Sequence, residues 1–143
     1  MAASPHLLDG FGKLNAIFES STLDPLARET LVMTMAVRNG CHICVAMHSA
    51  SLTRLGAEAG LIADLRAGRP VADDRLAALQ AFTLDVLETA GAVDDKHLAA
   101  FFEHGYTPRN ALDVVLGIGA YTMSTLANRM TRSPVDDRLA AFA

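Results

Sequence analysis

The chain has 143 residues, 51% of them hydrophobic and 20% charged, with a net charge of −4. Its twelve Lys and Arg form no run, which excludes the electrostatic footprint of a nucleic-acid binder. The length fits one domain, residues 1–143, able to bury a real core, and so apolar a small chain is expected to cover part of its surface with other copies of itself.

The N-terminal stretch "MAASPHLLDG" carries neither a basic segment nor a continuous apolar run, so it does not read as a signal peptide. A helix is expected from about Pro5 to Phe18, with Gly10 and Gly12 weakening it. Asp24-Pro25 is an N-cap followed by proline at the first helical position, and it opens a helix whose apolar residues Leu26, Met33 and Val37 recur near the helical period. Asn39-Gly40 stops it. The next helix opens at Cys41 and runs to about Leu55, where Gly56 ends it. A short helix follows near Glu58–Ala67. Another starts after Asp73 or Asp74 and ends at Gly91, and a shorter one lies between the cap Asp94 and Gly105. The longest begins after Thr107-Pro108 and continues to about Met130. Gly117 and Gly119 inside it point to close helix contact rather than chemistry.

No stretch sustains a two-residue alternation, so the fold class is all-α: a single-domain bundle of about seven helices. The most apolar long segment, residues 111–127, is short for a membrane span and carries Asp113, so no membrane helix is expected. The chain reads as cytoplasmic. In that compartment, two cysteines at CxxC spacing are more often catalytic or metal-binding than a structural staple.

The pair is Cys41-His42-Ile43-Cys44, followed by His48. With about 100° of turn per helical residue, Cys41, Cys44 and His48 share one stripe, and Cys44 and His48 are one turn apart. A thiol in the first turn meets free backbone N–H groups and the positive helix end, which favour the thiolate. Cys41, nearer the helix start, is expected to be the more accessible sulfur. The short turn at 39–40 predicts an antiparallel hairpin that brings Glu29 level with His48. A carboxylate on an apolar stripe calls for a partner. Glu29 orienting His48, with His48 as base for Cys44, is the arrangement that this geometry suggests. A zinc site built from Cys41, Cys44, His48 and Glu29 is the competing reading, although three ligands on one stripe make tetrahedral closure awkward. Haem attachment is excluded because Val45, not histidine, follows Cys44. A thioredoxin fold would need strands. No cofactor is expected.

The segment "RETLVMTMAVRNGCHICVAMHSASLTRLG" (28–56) resembles the AhpD-like branch of the carboxymuconolactone decarboxylase family, and "LGIGAYTMSTLANRM" (116–130) is similar to that family's late helix. The resemblance implies an all-α homo-oligomer, a trimer or hexamer, that reduces hydroperoxides. It implies Cys44 as the peroxide-attacking thiol, Cys41 as the resolving one, and Glu29 and His48 as proton relay. The implied reductant is a dithiol such as a lipoyl-bearing protein. Some members of that branch carry histidine immediately before the second cysteine, where this chain has Ile43; the nearest histidine, His42, is turned elsewhere. The decarboxylase branch generally lacks the cysteine pair, which favours redox chemistry over a lactone-decarboxylating lyase; a non-catalytic metal-binding or structural homologue is the other alternative.

Overall fold

A computed structural model describes residues 3–143; of the N-terminal stretch, Met1 and Ala2 lie outside the described residues. Among those described, all regular structure is helical and no strand occurs. Seven α-helices follow in chain order: α1 (Pro5–Glu19), α2 (Pro25–Arg38), α3 (His42–Arg54), α4 (Ala59–Arg66), α5 (Asp74–Glu88), α6 (Asp95–Glu103) and α7 (Pro108–Met130). A 3-10 helix, Asp137–Phe142, closes the chain.

The helix starts are fixed by side chains that satisfy free N–H groups of the first turn. Asp24 accepts from the Ala27 amide, Asp73 from that of Leu76 and Asp94 from that of His97. Thr107 and Asn110 form a reciprocal capping box at α7. These are the Asp-Pro and Thr-Pro signals of the sequence at work. One start differs by a residue. Cys41 is the N-cap of α3 rather than its first helical residue.

The core sits around α2, whose Leu31, Met33 and Met35 have no exposed surface. Against it pack α3 on one side, α7 and α5 on others, and α1 lies along α7. Phe82, Phe101 and Tyr106 stack in sequence, with ring centroids 4.1 and 4.3 Å apart, and join α5 to α6 and the start of α7. Asp113, the charge inside the apolar stretch of α7, accepts from the backbone N–H and hydroxyl of Thr22 and so ties α7 to the loop before α2. No described helix is long and apolar enough to cross a membrane.

The 3-10 helix is not among the elements that the sequence predicts. It packs on α3, where Arg66 of α4 donates to the Phe142 carbonyl and to the Ser49 hydroxyl.

The two glycines of α7 behave differently. A Cβ on Gly117 would lie 2.6 and 2.8 Å from ring atoms of Phe18, which is fully buried. Around Gly119 no heavy atom lies within 4 Å. Alanine gains up to about 1 kcal/mol over glycine inside a helix, while overpacking a core costs about 1–3 kcal/mol. Gly117→Ala is therefore expected to lower unfolding free energy and Gly119→Ala to raise it, as read by the midpoints of denaturant unfolding. Equal shifts in both would show that close packing at Gly117 is not what selects glycine there.

Candidate active site

The turn between α2 and α3 is the local device that positions the cysteines. Gly40 lies in the left-handed region at φ +63°. Its N–H donates to the Val37 carbonyl, and the Cys41 N–H donates to that of Ala36. This is the paired bonding of a Schellman motif, which satisfies the last carbonyls of α2. Cys41 is at once the residue that closes α2 and the N-cap of α3, where its carbonyl accepts from the Val45 N–H. Arg129 of α7 reaches the Asn39 carbonyl and lies where a Gly40 Cβ would be, 2.7 Å from its Nη1.

Cys41 and Cys44 are joined as a disulfide, with Cα atoms 5.3 Å apart. Both are buried, at 1% and 2% exposure, with Ala36 packed against them. This corrects the expectation that Cys41 is the more accessible sulfur. The Schellman turn directs its side chain onto Ala36, the apolar contact that usually accompanies this motif. Cys44, not Cys41, lines a cavity of about 350 Å³ between α1, α2, α3 and α7.

Into the same cavity project His48 and Glu29. His48 Nδ1 lies 2.8 Å from Glu29 Oε2, and both side chains are largely buried. The hairpin brings them level, as the short turn predicts. With Nδ1 engaged by the carboxylate, Nε2 is the nitrogen left for chemistry. Tyr121 of α7 packs edge-on against the imidazole, its centroid 5.3 Å away, and donates its hydroxyl to Asn15 of α1. Burial, then the neighbouring Glu29 and Glu19 carboxylates, push the Tyr121 phenol far above its usual range, so it remains a neutral donor. Phe11 meets Tyr121 edge to face and closes the cavity from the α1 side.

The four residues singled out in the sequence are thus gathered in one place, with Cys41 behind Cys44 rather than in the cavity. His42 is exposed. Among the described residues, no group of three or more His, Cys, Asp or Glu side chains is arranged to hold a metal ion. The sequence reading missed Tyr121, Ser124 and Asn128, which α7 contributes to the cavity. Their signal was a polar stripe, at positions 121, 124 and 128, on a helix otherwise rich in apolar residues.

This all-helical frame, with a CxxC pair at the head of a buried helix, is the AhpD-like fold. An AhpD-type antioxidant-defence candidate of unknown function from Agrobacterium tumefaciens superposes with a TM-score of 0.82 over 94% of each chain, at 21% identity. An uncharacterised peroxidase-related protein from Ralstonia eutropha, with an alkylhydroperoxidase AhpD core, gives 0.87 over 96% of this chain and 75% of its own, at 20% identity. A cysteine-to-alanine form of the debrominase Bmp8, bound to 2,3,4-tribromopyrrole, gives 0.81 over 99% and 77%, at 16% identity. Comparison with curated proteins gives no match. The chain belongs to the carboxymuconolactone decarboxylase family, whose model matches residues 5–85 and so takes in Glu29, Cys41, Cys44 and His48.

The turn makes its own prediction. Gly40→Ala meets both a left-handed backbone and the Arg129 guanidinium, so it should cost about 1–2 kcal/mol in denaturant unfolding of the oxidised protein. Unchanged stability would mean that the turn adapts without the left-handed residue.

Proposed function

We propose that the chain reduces organic hydroperoxides with its two cysteines. The observation that supports this reading is the shared cavity: the Cys44 sulfur of the disulfide and a histidine held by a carboxylate at 2.8 Å face the same small space. In the reduced protein, Cys44 thiolate attacks the terminal oxygen of R–O–OH. The O–O bond breaks, Cys44 becomes a sulfenic acid, and the leaving alkoxide takes a proton from His48. Cys41 thiolate then attacks Cys44 Sγ, forming the S–S bond and expelling hydroxide, which is protonated to water. One hydroperoxide and two thiols give one alcohol, one water and one disulfide.

Glu29 fixes the His48 ring so that Nε2 points its proton into the cavity. A dithiol, of the kind carried by a lipoyl-bearing protein, returns the two electrons. Its thiolate attacks Cys44 Sγ, the sulfur that lines the cavity, and its second thiol releases the mixed disulfide. The reading places the chain in the cytoplasm, where such reductants keep thiols reduced. Fold alone does not select the substrate, since a debrominase has it too; the thiol pair argues against the lactone-decarboxylating lyase.

The reaction is checked by thiol titration before and after one equivalent of cumene hydroperoxide. Loss of two thiols per chain, with no intermolecular crosslink, is the expected result; retained thiols refute the reading. His48→Ala should lower the rate of peroxide reduction by about 10²–10⁴-fold. Glu29→Gln should also lower it, and the double variant should be scarcely slower than the worse single one, because the two act as a unit. Additive losses would remove Glu29 from the relay.

We also propose that protomers associate through the outer face of α7. Leu112 and Met130 are 72% and 81% exposed on that helix, and Val115 and Leu126 are exposed between them. Light scattering should give a multiple of the 15.2 kDa protomer mass, and Leu126→Glu should reduce it. A stable monomer at micromolar concentration would overturn the assembly.

A further inference from the structure

The charged and titratable groups that face Cys44 across the cavity are His48 of α3, Glu29 of α2, Glu19 of α1 and the Tyr121 phenol of α7. Two are carboxylates, and no lysine or arginine lines the cavity among the described residues. The cation beside these carboxylates, Arg28 of α2, pairs with Glu19 at 3.4 Å and does not line the cavity, so a thiolate formed there faces Glu29 with no cation in the cavity itself. Beyond the free N–H groups of the α3 first turn, the side chains that donate to the sulfur decide how well a thiolate is held.

The hydrogen bond that reaches Cys44 Sγ among the described residues comes from Asn128, not from His48. Its Nδ2 lies 3.5 Å from the sulfur and is buried. The contact joins α7 to the head of α3, 84 residues apart in sequence. Asn128 lies beyond the segment that the family model matches. The sulfur in the structure is bonded to that of Cys41 and can only accept, as a thiolate would, so the amide presents its N–H to it.

We infer that Asn128 is a further catalytic residue: its side-chain amide donates to Cys44 Sγ, stabilises the thiolate and holds the sulfur toward the cavity. This rests on the peroxidase reading for the reaction but not for the thiolate itself. The two polar partners then do separate work. Asn128 holds the nucleophile, while His48 delivers the proton to the departing alkoxide. A neutral amide keeps its donor at every pH, whereas the imidazole donates from Nε2 only in one protonation state or tautomer.

The test uses the Cys41→Ser protein, in which Cys44 is the remaining thiol. Its ultraviolet thiolate absorbance is followed against pH with Asn128 intact, with Asn128→Leu and with Asn128→Asp. Hydrogen bonds to charged groups are strong enough that losing the donor should leave about 10–100-fold less thiolate at a given pH below the midpoint. Both substitutions should move the midpoint upward, Asp at least as far as Leu. A midpoint unchanged in Asn128→Leu overturns the assignment.

A second measurement leaves Asn128 in place, should the variants fail to fold. The Asn128 side-chain amide resonance in the ¹⁵N-labelled Cys41→Ser protein should move with the same midpoint as the thiolate absorbance. A resonance indifferent to that titration also overturns the assignment. In rate measurements, the deficit of Asn128→Leu toward peroxide should shrink once pH exceeds both midpoints, which a merely structural defect would not do. Failure of Cys44 in the Cys41→Ser parent to form a sulfenic acid with peroxide, with the midpoint still moving, supports the Asn128 assignment and refutes the peroxidase reading alone.

Discussion

Two helices share one residue at Cys41, and the geometry of the site descends from that junction. Because the Cys41 N–H closes α2 on the Ala36 carbonyl while its own carbonyl begins α3, the two helices leave the turn at a fixed angle with no slack between them. The antiparallel return that follows sets Glu29 against His48. It also places Cys44 in the first turn of α3, where backbone N–H groups have no intrahelical partner. Gly40 makes the junction sterically accessible, since its left-handed backbone costs a residue with a Cβ about 1–2 kcal/mol. Arg129 then holds the outer side of the turn from α7. A sulfur pinned from both helices cannot swing outward, which is why the disulfide is buried and opens to the cavity at Cys44 alone.

How much of this a reader of the sequence can see depends on how far apart the partners are. Caps are local: Asp24, Asp73, Asp94 and Thr107 each act on residues within one turn, and each marked its helix start. The Glu29–His48 pair spans 19 residues, but a tight turn makes it nearly local. Cys41 was displaced by one position because an N-cap and a first helical residue look alike in sequence. The 3-10 helix at 137–142 has too few residues to show a period, and its anchor is the distant Arg66.

Tyr121 and Asn128 were illegible for a different reason. Polar residues on a helix ordinarily mark the solvent face. Whether a polar stripe meets water or a cavity is decided by what packs across it, here α3 and α1, and sequence spacing does not carry that. The roof of the cavity is equally distant from the motif. Phe11 and Asn15 come from α1, whose sequence gave a helix and nothing of its position over the cysteines. Of the candidate site, then, the half on the hairpin was readable and the half supplied by α1 and α7 was not.

The absence of a lysine or arginine in the cavity is consistent with the rest of its chemistry. Arg28, the guanidinium beside Glu19 and Glu29, stays outside the cavity, where it pairs with Glu19 and donates to the Leu23 carbonyl. Charge-assisted pairing of arginine with a carboxylate is strong and often bidentate, so a cation inside the cavity beside Cys44 would compete with His48 Nδ1 for Glu29. The imidazole would then share the partner that fixes its ring. An amide does not compete in this way. It donates to a thiolate without attracting a carboxylate strongly, and its charge is zero whether the site holds thiolate, sulfenic acid or disulfide. A relay built on one carboxylate and one imidazole is therefore served by a neutral donor at the nucleophile, which competes for neither partner.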